Sequence, residues 1–296
     1  MTEANSTVGT LACLRDLALI RVSGPDRITF LQGQLTNDVT RLGDTLMTAG
    51  YCSPKGRLLA TPRLFADGDS VLMIVTACQA AALVKRLKMY VLRSKVTVDP
   101  DTTHEVFGYT GAVPDILPSE AFVFDLGTPA AATCVAAAVP QRHGLIIAPS
   151  GTLTSTVTSV QWWAVSAAAG EPWIFAQSAD RFTPHAINLD LVRGISFNKG
   201  CYTGQEVVSR IEHIGKTNRR MVLFAANKPL SLAVDGDVTD VAGAVLGTVV
   251  YAVSMADRTL ILMEVPTALC EITEPVESSL ATLYRLALPY GWSRTE

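Results

Sequence analysis

The sequence lacks the short motifs that mark the common nucleotide, zinc and serine-hydrolase sites. It contains no GxGxxG run after a strand, no GxxxxGK[ST], no HExxH and no GxSxG. These absences argue against dinucleotide-dependent, P-loop, zinc-protease and serine-hydrolase activities. The four histidines stand tens of residues apart, which favours a surface or hydrogen-bonded structural role over ligation or catalysis for each of them: His104, His143, His185 and His213.

Cysteine pairs are missing as well. The sequence has no CxxC and no Cys/His pair at zinc spacing. We therefore expect reduced thiols in an intracellular protein, with no metal site and no self-contained iron-sulfur or zinc centre. The six cysteines lie far apart, at Cys13, Cys52, Cys78, Cys134, Cys201 and Cys270.

Long apolar runs and an early basic segment are also absent. Nowhere do about 18 apolar residues follow one another, as a membrane helix would require. Arg15 and Asp16 interrupt the apolar start of the chain, which therefore does not resemble a signal peptide. The sequence predicts a cytoplasmic protein with no membrane partner.

Charged residues are few, and the net charge is slightly negative. Charged residues make up 17% of the 296 residues and hydrophobic residues 49%, a composition typical of a globular protein with a large buried core. The net charge of −3 argues against a general attraction for DNA, RNA or anionic membranes. Between Arg193 and Arg220, however, six basic and two acidic residues give a local charge of +4, which predicts an anion-attracting surface there.

The first 150 residues alternate irregularly between strand and helix patterns. Residues 17–22 predict a strand, and the next segment predicts a helix capped by Ser23 with Ile28, Leu31 and Leu35 on one face. Three antiparallel strands are predicted within 45–75. Without a regular βαβ repeat, this mixture indicates an α+β arrangement. Further along, we expect helices over 78–93 and 131–139 and strands around 95–100, 104–111, 121–127 and 144–149.

Two later segments differ from this pattern. Residues 150–159 have a low-complexity composition that suits a linker, but their alternation of threonine with residues such as valine suits an exposed strand equally well. From Met221 onward only strand patterns recur, separated by Gly, Asp, Asn and Pro turns. That second pattern predicts a small antiparallel β-barrel or sandwich.

Cys201 lies between Gly200 and Gly204, in the stretch of residues 194–221 that reads GISFNKGCYTGQEVVSRIEHIGKTNRRM. The glycines permit a tight turn, and nearby Lys199 and Arg210 could favour the thiolate. Local chemistry alone leaves three alternatives for Cys201, which are a nucleophile, a metal ligand and a residue of a tight turn. The following QEVVSRIE could begin a helix on which Glu206 and Arg210 pair on one face.

KGCYTGQE resembles the signature of the YgfZ-type folate-binding proteins, which are relatives of the glycine cleavage T-protein, an aminomethyltransferase, and which support iron-sulfur proteins. The resemblance extends over essentially the whole chain. It includes FTPHAINLDLVRGISF before the motif, FLQGQLTNDV as the first helix, CSPKGRLLATPRLF as a hairpin and LPYGW near the end.

The resemblance implies an α+β body of two intertwined subdomains over residues 1–218 and a C-terminal antiparallel β-barrel over 219–296, around an opening that holds tetrahydrofolate. It implies that Cys201 is a redox-active or cluster-contacting thiol. In SVQWWAV it points to Trp162 as a folate contact, although Trp162 or Trp163 could equally belong to the core. The other positions implied to contact folate are Lys199, Tyr202, Gln205, Glu206 and Arg210.

Two departures from the family pattern bear on function. Leu17 stands where other members carry a second tryptophan. The aminomethyltransferase carries an acidic residue at the end of the strand that corresponds to GRLLATP, where this sequence has Ala60 and Thr61, neither of which can act as a general acid or base. Aminomethyl transfer is therefore disfavoured.

The preferred interpretation is a tetrahydrofolate-binding accessory factor for the assembly, repair or maintenance of iron-sulfur enzymes, such as the radical enzymes that thiolate tRNA. Its effect on tRNA modification would be indirect. A first alternative is a folate-dependent one-carbon transferase that uses Glu206 or Asp190 as its base. A second is direct RNA binding through the 193–220 segment, which the net charge disfavours.

Overall fold

The structure is a computed structural model that describes residues 9–128, 142–213, 215 and 217–292. The helix predicted over 131–139 lies outside the described residues. The α-helices of the described part are α1 (Arg27–Gln32), α2 (Ala77–Val91), α3 (Val160–Ala168) and α4 (Gln205–His213).

The strands form antiparallel pairs throughout the part of the chain that the structure describes. In chain order they are β1 (Thr10–Cys13), β2 (Leu17–Ser23), β3 (Met47–Thr48), β4 (Tyr51–Cys52), β5 (Leu58–Ala60), β6 (Arg63–Asp67), β7 (Ser70–Thr76), β8 (Thr97–Asp101), β9 (His104–Thr110), β10 (Phe122–Gly127), β11 (His143–Pro149), β12 (Arg219–Ala226), β13 (Asp237–Thr239), β14 (Val245–Ser254), β15 (Thr259–Pro266), β16 (Val276–Glu277) and β17 (Thr282–Leu286).

Two large sheets build most of the described body that precedes the barrel. One has the strand order β1-β9-β11-β10 and the other β3-β6-β7-β2-β8. Because β1 joins the first sheet and β2 the second, the chain passes from one sheet to the other within its first described residues. It returns to the first sheet through β9, so the two sheets are built from interleaved segments.

Strand β7 shows how the apolar sequence fits between two packed layers. Its side chains alternate between the two faces of the sheet, as in any β-strand. Leu72 and Ile74 belong to the core shared with the first sheet and α3, whereas Val71 and Met73 pack under α1 and α2. A strand covered on both faces must be apolar at nearly every position, which explains the run VLMIV.

The last described strands form one sheet of order β13-β14-β15-β12-β17-β16. Its two edge strands, β13 and β16, meet at their ends. There Asp240 forms an isolated antiparallel β-bridge with Ser278, and the Ser279 amide donates a hydrogen bond to the Thr239 carbonyl oxygen at 2.9 Å. The sheet therefore curls into a small antiparallel barrel, filled by side chains such as Phe224 and Ile261. This confirms the all-strand pattern predicted from Met221 onward.

Three local predictions need correction or completion. The first helix begins at Arg27 and is preceded by Asp26 rather than capped by Ser23, which ends β2. The segment 45–75 contains β3 to β7 instead of three strands, because β4 and β5 form a separate two-stranded sheet. Residues 150–159 form irregular chain held along the edge of β1, where Thr156 exchanges hydrogen bonds with Leu11.

Helix α3 lies between the first sheet and the barrel, in contact with β9, β11, β14 and β15. Its position brings Trp162 to β9 and Trp163 toward β14. None of the described helices has the length and apolar character needed to cross a bilayer.

Candidate functional site

The loop of residues 198–204 packs tightly against the turn between β4 and β5. Gly204 has a φ of +83°, and a Cβ atom there would lie 2.5 Å from the Ser53 carbonyl oxygen. On the facing turn, Gly56 has a φ of +68°, and its Cβ would lie 2.6 Å from Cβ of Val207. The glycine at each position is therefore required by conformation and by close approach. Gly200 is different, because nothing lies within 4 Å of its Cβ position.

Lys199 points away from solvent and into the turn that follows α1. Its ammonium group donates hydrogen bonds to the carbonyl oxygens of Gln32, Leu35 and Asn37 at 2.7, 2.6 and 2.8 Å. Burial lowers the pKa of Lys199 to about 8. The structure thus gives this lysine a role in holding the loop in place.

Tyr202 and Gln205 form the junction between the loop and α4. Tyr202 is buried, with its ring 5.2 Å from the ammonium nitrogen of Lys199, and burial raises the pKa of its hydroxyl. The Gln205 side-chain oxygen accepts a hydrogen bond from the Tyr202 amide at 3.3 Å. This contact links the loop to the first turn of α4.

Cys201 is exposed at the tip of this loop, and Glu206 and Arg210 are exposed on α4. Within the described ranges, no ion pair joins Glu206 to Arg210. The motif therefore presents a thiol to solvent on a loop whose flanks are fixed by Lys199 and Gly204. Accessibility is one of the properties that a reacting thiol requires.

Trp162 is 1% exposed and is enclosed by protein on all sides. Its indole nitrogen donates to the Gly144 carbonyl oxygen at 2.9 Å, and its ring centre lies 5.1 Å from that of Trp163 and 6.3 Å from that of Trp173. Gly108 of β9 leaves room for the ring, since a Cβ there would lie 2.3 Å from it. In this arrangement the ring presents no face to a ligand.

Trp163 instead borders a cavity of about 310 Å³ between α3 and the barrel. Its ring lies 6.0 Å from that of Phe175 and 5.9 Å from that of Tyr251, so three aromatic side chains line one space. Asp16, just before β2, accepts a hydrogen bond of 3.2 Å from the indole nitrogen of Trp163. None of the motif residues from Lys199 to Arg210 lines this cavity.

The sequence did not point to Asp16, Phe175 or Tyr251. These residues come from three separate parts of the chain and belong to no recognisable sequence motif. The adjacent tryptophans Trp162 and Trp163 were the one sequence feature that pointed to this region. Which of the two rings faces the core depends on their positions around the helix. Trp163 lies 100° around the helix from Trp162, so one ring is enclosed while the next reaches the cavity.

Much of the basic charge between Arg193 and Arg220 is compensated inside the fold. Arg220 forms a bidentate ion pair with Asp190, at 2.6 and 2.9 Å, and Arg219 pairs with Glu264. These two ion pairs, with the hydrogen bonds of the half-buried Lys199 to three carbonyl oxygens, leave less free positive charge than the sequence predicted. They also engage Asp190, one of the two candidate bases, in an ion pair.

The strand β5 ends without an acidic side chain. Ala60 and Thr61 are both buried, and the Thr61 hydroxyl oxygen accepts a hydrogen bond of 3.1 Å from the Ile174 amide. The next charged residue, Arg63, is buried with its guanidinium carbon 3.5 Å from the centre of the Trp173 ring. Arginine cannot serve as a proton acceptor here.

Within the described residues, one group of side chains has metal-ligand spacing. His185, Asp190 and Glu212 place one ligand atom each within 4.8 Å of the others. His185 Nε2 lies 3.1 Å from a Glu212 oxygen, while Arg220 already occupies both oxygens of Asp190. We interpret the group as a buried ion-pair network that ties α4 to β12. Cys201 is not part of it.

Comparisons with known proteins agree with this architecture. No protein-family model matches the chain. The tRNA-modifying protein YgfZ of Shigella sonnei is 36% identical over 238 residues, which cover 74% of this chain and 72% of that protein. The YgfZ of Pectobacterium carotovorum is 35% identical over 245 residues, covering 77% and 73%, and that of Yersinia pestis is 29% identical over 308 residues, covering 95% and 92%.

Among solved structures, the glycine cleavage system aminomethyltransferase T from Bartonella henselae superposes with a TM-score of 0.64. The match covers 97% of this chain and 87% of the other at 15% identity, so it establishes the fold alone. The predicted α+β aminomethyltransferase fold with a C-terminal barrel is confirmed.

Proposed function

Since this chain belongs to the YgfZ family of tRNA-modifying proteins, we propose that it is a cytoplasmic, tetrahydrofolate-binding accessory factor that maintains iron-sulfur enzymes. Its clients would include the radical enzymes that thiolate tRNA, so its effect on tRNA modification would be indirect. The observation that carries the folate part is the cavity between α3 and the barrel, with its three aromatic side chains and one carboxylate.

The cavity suits the pterin end of a folate in shape and in chemistry. A pterin is a flat bicyclic ring, and Trp163, Phe175 and Tyr251 offer aromatic surfaces for contact with such a ring. The volume of about 310 Å³ is within the range of small-molecule sites. The charged glutamate tail would then extend from the cavity toward solvent.

Asp16 supplies the polar partner that a pterin requires. The 2-amino group and the neighbouring ring N–H of a pterin form a pair of parallel donors, which a carboxylate can accept together. One hydrogen bond from Trp163 leaves the carboxylate with further acceptor capacity. That bond also fixes the carboxylate at the cavity wall, which reduces the entropy cost of ligand binding.

We favour an accessory role over one-carbon transfer because the residues at the end of β5 supply no general acid or base. Thr61 is buried and hydrogen-bonded, and Asp190 is held by Arg220. The exposed Cys201 loop offers a separate point of contact with an iron-sulfur client.

The folate proposal is tested by isothermal titration of the purified protein with tetrahydrofolate under anaerobic conditions. We expect saturable binding that weakens roughly tenfold in Trp163→Leu and in Asp16→Asn, since each loses a contact of about 1–2 kcal/mol. Trp292→Leu is the matched control, because Trp292 packs on the barrel core and is absent from the cavity lining. The proposal that folate binds in this cavity would be contradicted by equal affinity of Trp163→Leu and wild type, or by no binding at millimolar tetrahydrofolate.

A further inference from the structure

The second half of α2 and the turn that follows it carry an unusual concentration of positive charge. We call residues 85–95, KRLKMYVLRSK, the α2 basic segment. Its five basic and no acidic residues give a charge of +5, which leaves −8 on the rest of the chain. This local charge exceeds that of the 193–220 segment and occupies fewer than half as many residues.

The fold directs this charge outward. Leu83, Val84 and Leu87 bury the apolar face of α2 against the sheet that contains β2, β7 and β8. The opposite face and the following turn expose Lys85, Lys88, Arg93 and Lys95. Among the ion pairs of the described residues, only Lys88 of these four has a partner, which is the exposed Asp99 at 2.7 Å.

Apolar side chains are exposed between the cations. Met89 is 68% exposed and Leu92 is 88% exposed, while Tyr90 presents part of its ring. Leu92 has a φ of +42° and a ψ of −102°, a positive-φ conformation that a leucine rarely adopts. Strain of this kind costs on the order of 1–3 kcal/mol and often accompanies a functional surface.

We propose that the α2 basic segment is a docking surface for the phosphate backbone of a structured RNA. Exposed lysines and arginines neutralise phosphates, and a partly exposed tyrosine can stack on an unpaired base. The charge is complementary to a polyanion at this surface, although the chain as a whole is negative. The surface shares no residue with the Trp163 cavity, so this inference goes beyond folate binding.

An anionic membrane would meet the same charge, but the geometry favours RNA. A helix that binds in the plane of a membrane buries its apolar face in the bilayer. The apolar face of α2 is already occupied by the sheet. What remains exposed is a mixture of cations with Met89, Tyr90 and Leu92 rather than a continuous apolar stripe.

The test is fluorescence anisotropy of labelled bacterial total tRNA titrated with the full chain at 50 to 300 mM salt. The variant is Lys85→Gln/Arg93→Gln/Lys95→Gln, which leaves Lys88 and its partner intact. We expect wild-type binding to weaken with salt, and the variant to lose at least about tenfold in affinity at 300 mM salt and more at lower salt. The slope of log K against log salt should fall by about two to three, because three phosphate contacts are removed.

The matched control removes three exposed cations elsewhere, in Arg15→Gln/Arg41→Gln/Lys228→Gln, and carries the same net charge. We expect it to bind tRNA as the wild type does. Equal loss in both triple variants, or binding to phosphatidylglycerol vesicles without binding to tRNA, would overturn the proposal. Tetrahydrofolate titration of the same proteins separates the two proposals, since neither variant replaces a residue that lines the folate cavity.

Discussion

The ammonium group of Lys199 donates a hydrogen bond of 2.6 Å to the carbonyl oxygen of Leu35. Leu35 lies 164 residues earlier in the chain, in the turn after α1. Two more carbonyl oxygens, from Gln32 at the end of α1 and from Asn37 after it, accept from the same nitrogen. One side chain therefore satisfies three backbone acceptors and fixes the loop that presents Cys201.

Replacing Lys199 should destabilise the whole protein. In Lys199→Met the stem remains, but the charged donor is lost and three partly buried carbonyl oxygens lose a partner. We expect the free energy of unfolding to fall by about 3 kcal/mol, as measured by urea denaturation. Lys55→Met, an exposed lysine in the turn that faces the loop, is the control. Equal stability of the Lys199 variant and the wild type would contradict this role.

A second prediction concerns the contact between Gly108 and Trp162. A Cβ at Gly108 would lie 2.3 Å from Cδ1 of the enclosed indole, so Gly108→Ala should cost about 1–3 kcal/mol. Adding Trp162→Phe should recover part of that loss, because the smaller ring leaves space. A double-mutant cycle in urea measures the coupling. Gly43→Ala, where the Cβ meets nothing within 4 Å, should be nearly neutral.

The sequence predicted the elements better than their contacts. The helix predicted over 78–93 corresponds to α2, and its buried residues Leu83, Val84 and Leu87 stand at helical spacing, because local periodicity reports one-sided burial. The motif drew attention to Lys199, but no local pattern could show that its partners lie more than 160 residues away. Contacts of that kind depend on how the segments interleave.

The same limit applies to the two candidate surfaces. Sequence reasoning pointed to Trp162, while the packing of α3 against β9 encloses that ring and leaves Trp163 at the cavity. The charge count favoured residues 193–220, whereas the fold pairs Arg219 and Arg220 with acidic residues. A charge count over shorter windows could have found the α2 basic segment.

The buried pair of His143 and Glu171 predicts a pH dependence of stability. His143 Nε2 lies 3.1 Å from a Glu171 oxygen. Burial has the largest single effect and would lower the pKa of His143, but the hydrogen bond and the charge of Glu171, with smaller contributions from Gly127 and Asp125, together outweigh it and raise the pKa above the usual 6.5. Burial would raise the pKa of Glu171, but His143 and Arg63 together hold it below 4.5.

The direction of the pH dependence follows from the linkage between proton binding and folding. A raised histidine pKa contributes stability in full below pH 6.5, and that contribution is lost as the pH rises through the raised value. A lowered carboxylate pKa contributes stability above 4.5 that is lost as the pH falls through the lowered value. We therefore expect wild type to lose stability relative to His143→Gln as the pH rises from 6 to 8, measured by urea denaturation at each pH. A constant difference would contradict the pairing.

The last prediction separates the exposed thiol from the fold that presents it. Cys201 is exposed, so Cys201→Ser should leave the free energy of unfolding unchanged within about 0.5 kcal/mol. Tetrahydrofolate affinity should also be unchanged, because Cys201 does not line the Trp163 cavity. In cells that lack the wild-type gene, however, the variant should fail to restore thiolated tRNA nucleosides, measured by mass spectrometry.

Cys78→Ser is the matched control, since Cys78 is the other exposed cysteine of the described residues and lies on α2. Full restoration by Cys201→Ser would show that the accessory role does not pass through this thiol, whereas failure of both variants would point to a general sensitivity to thiol loss.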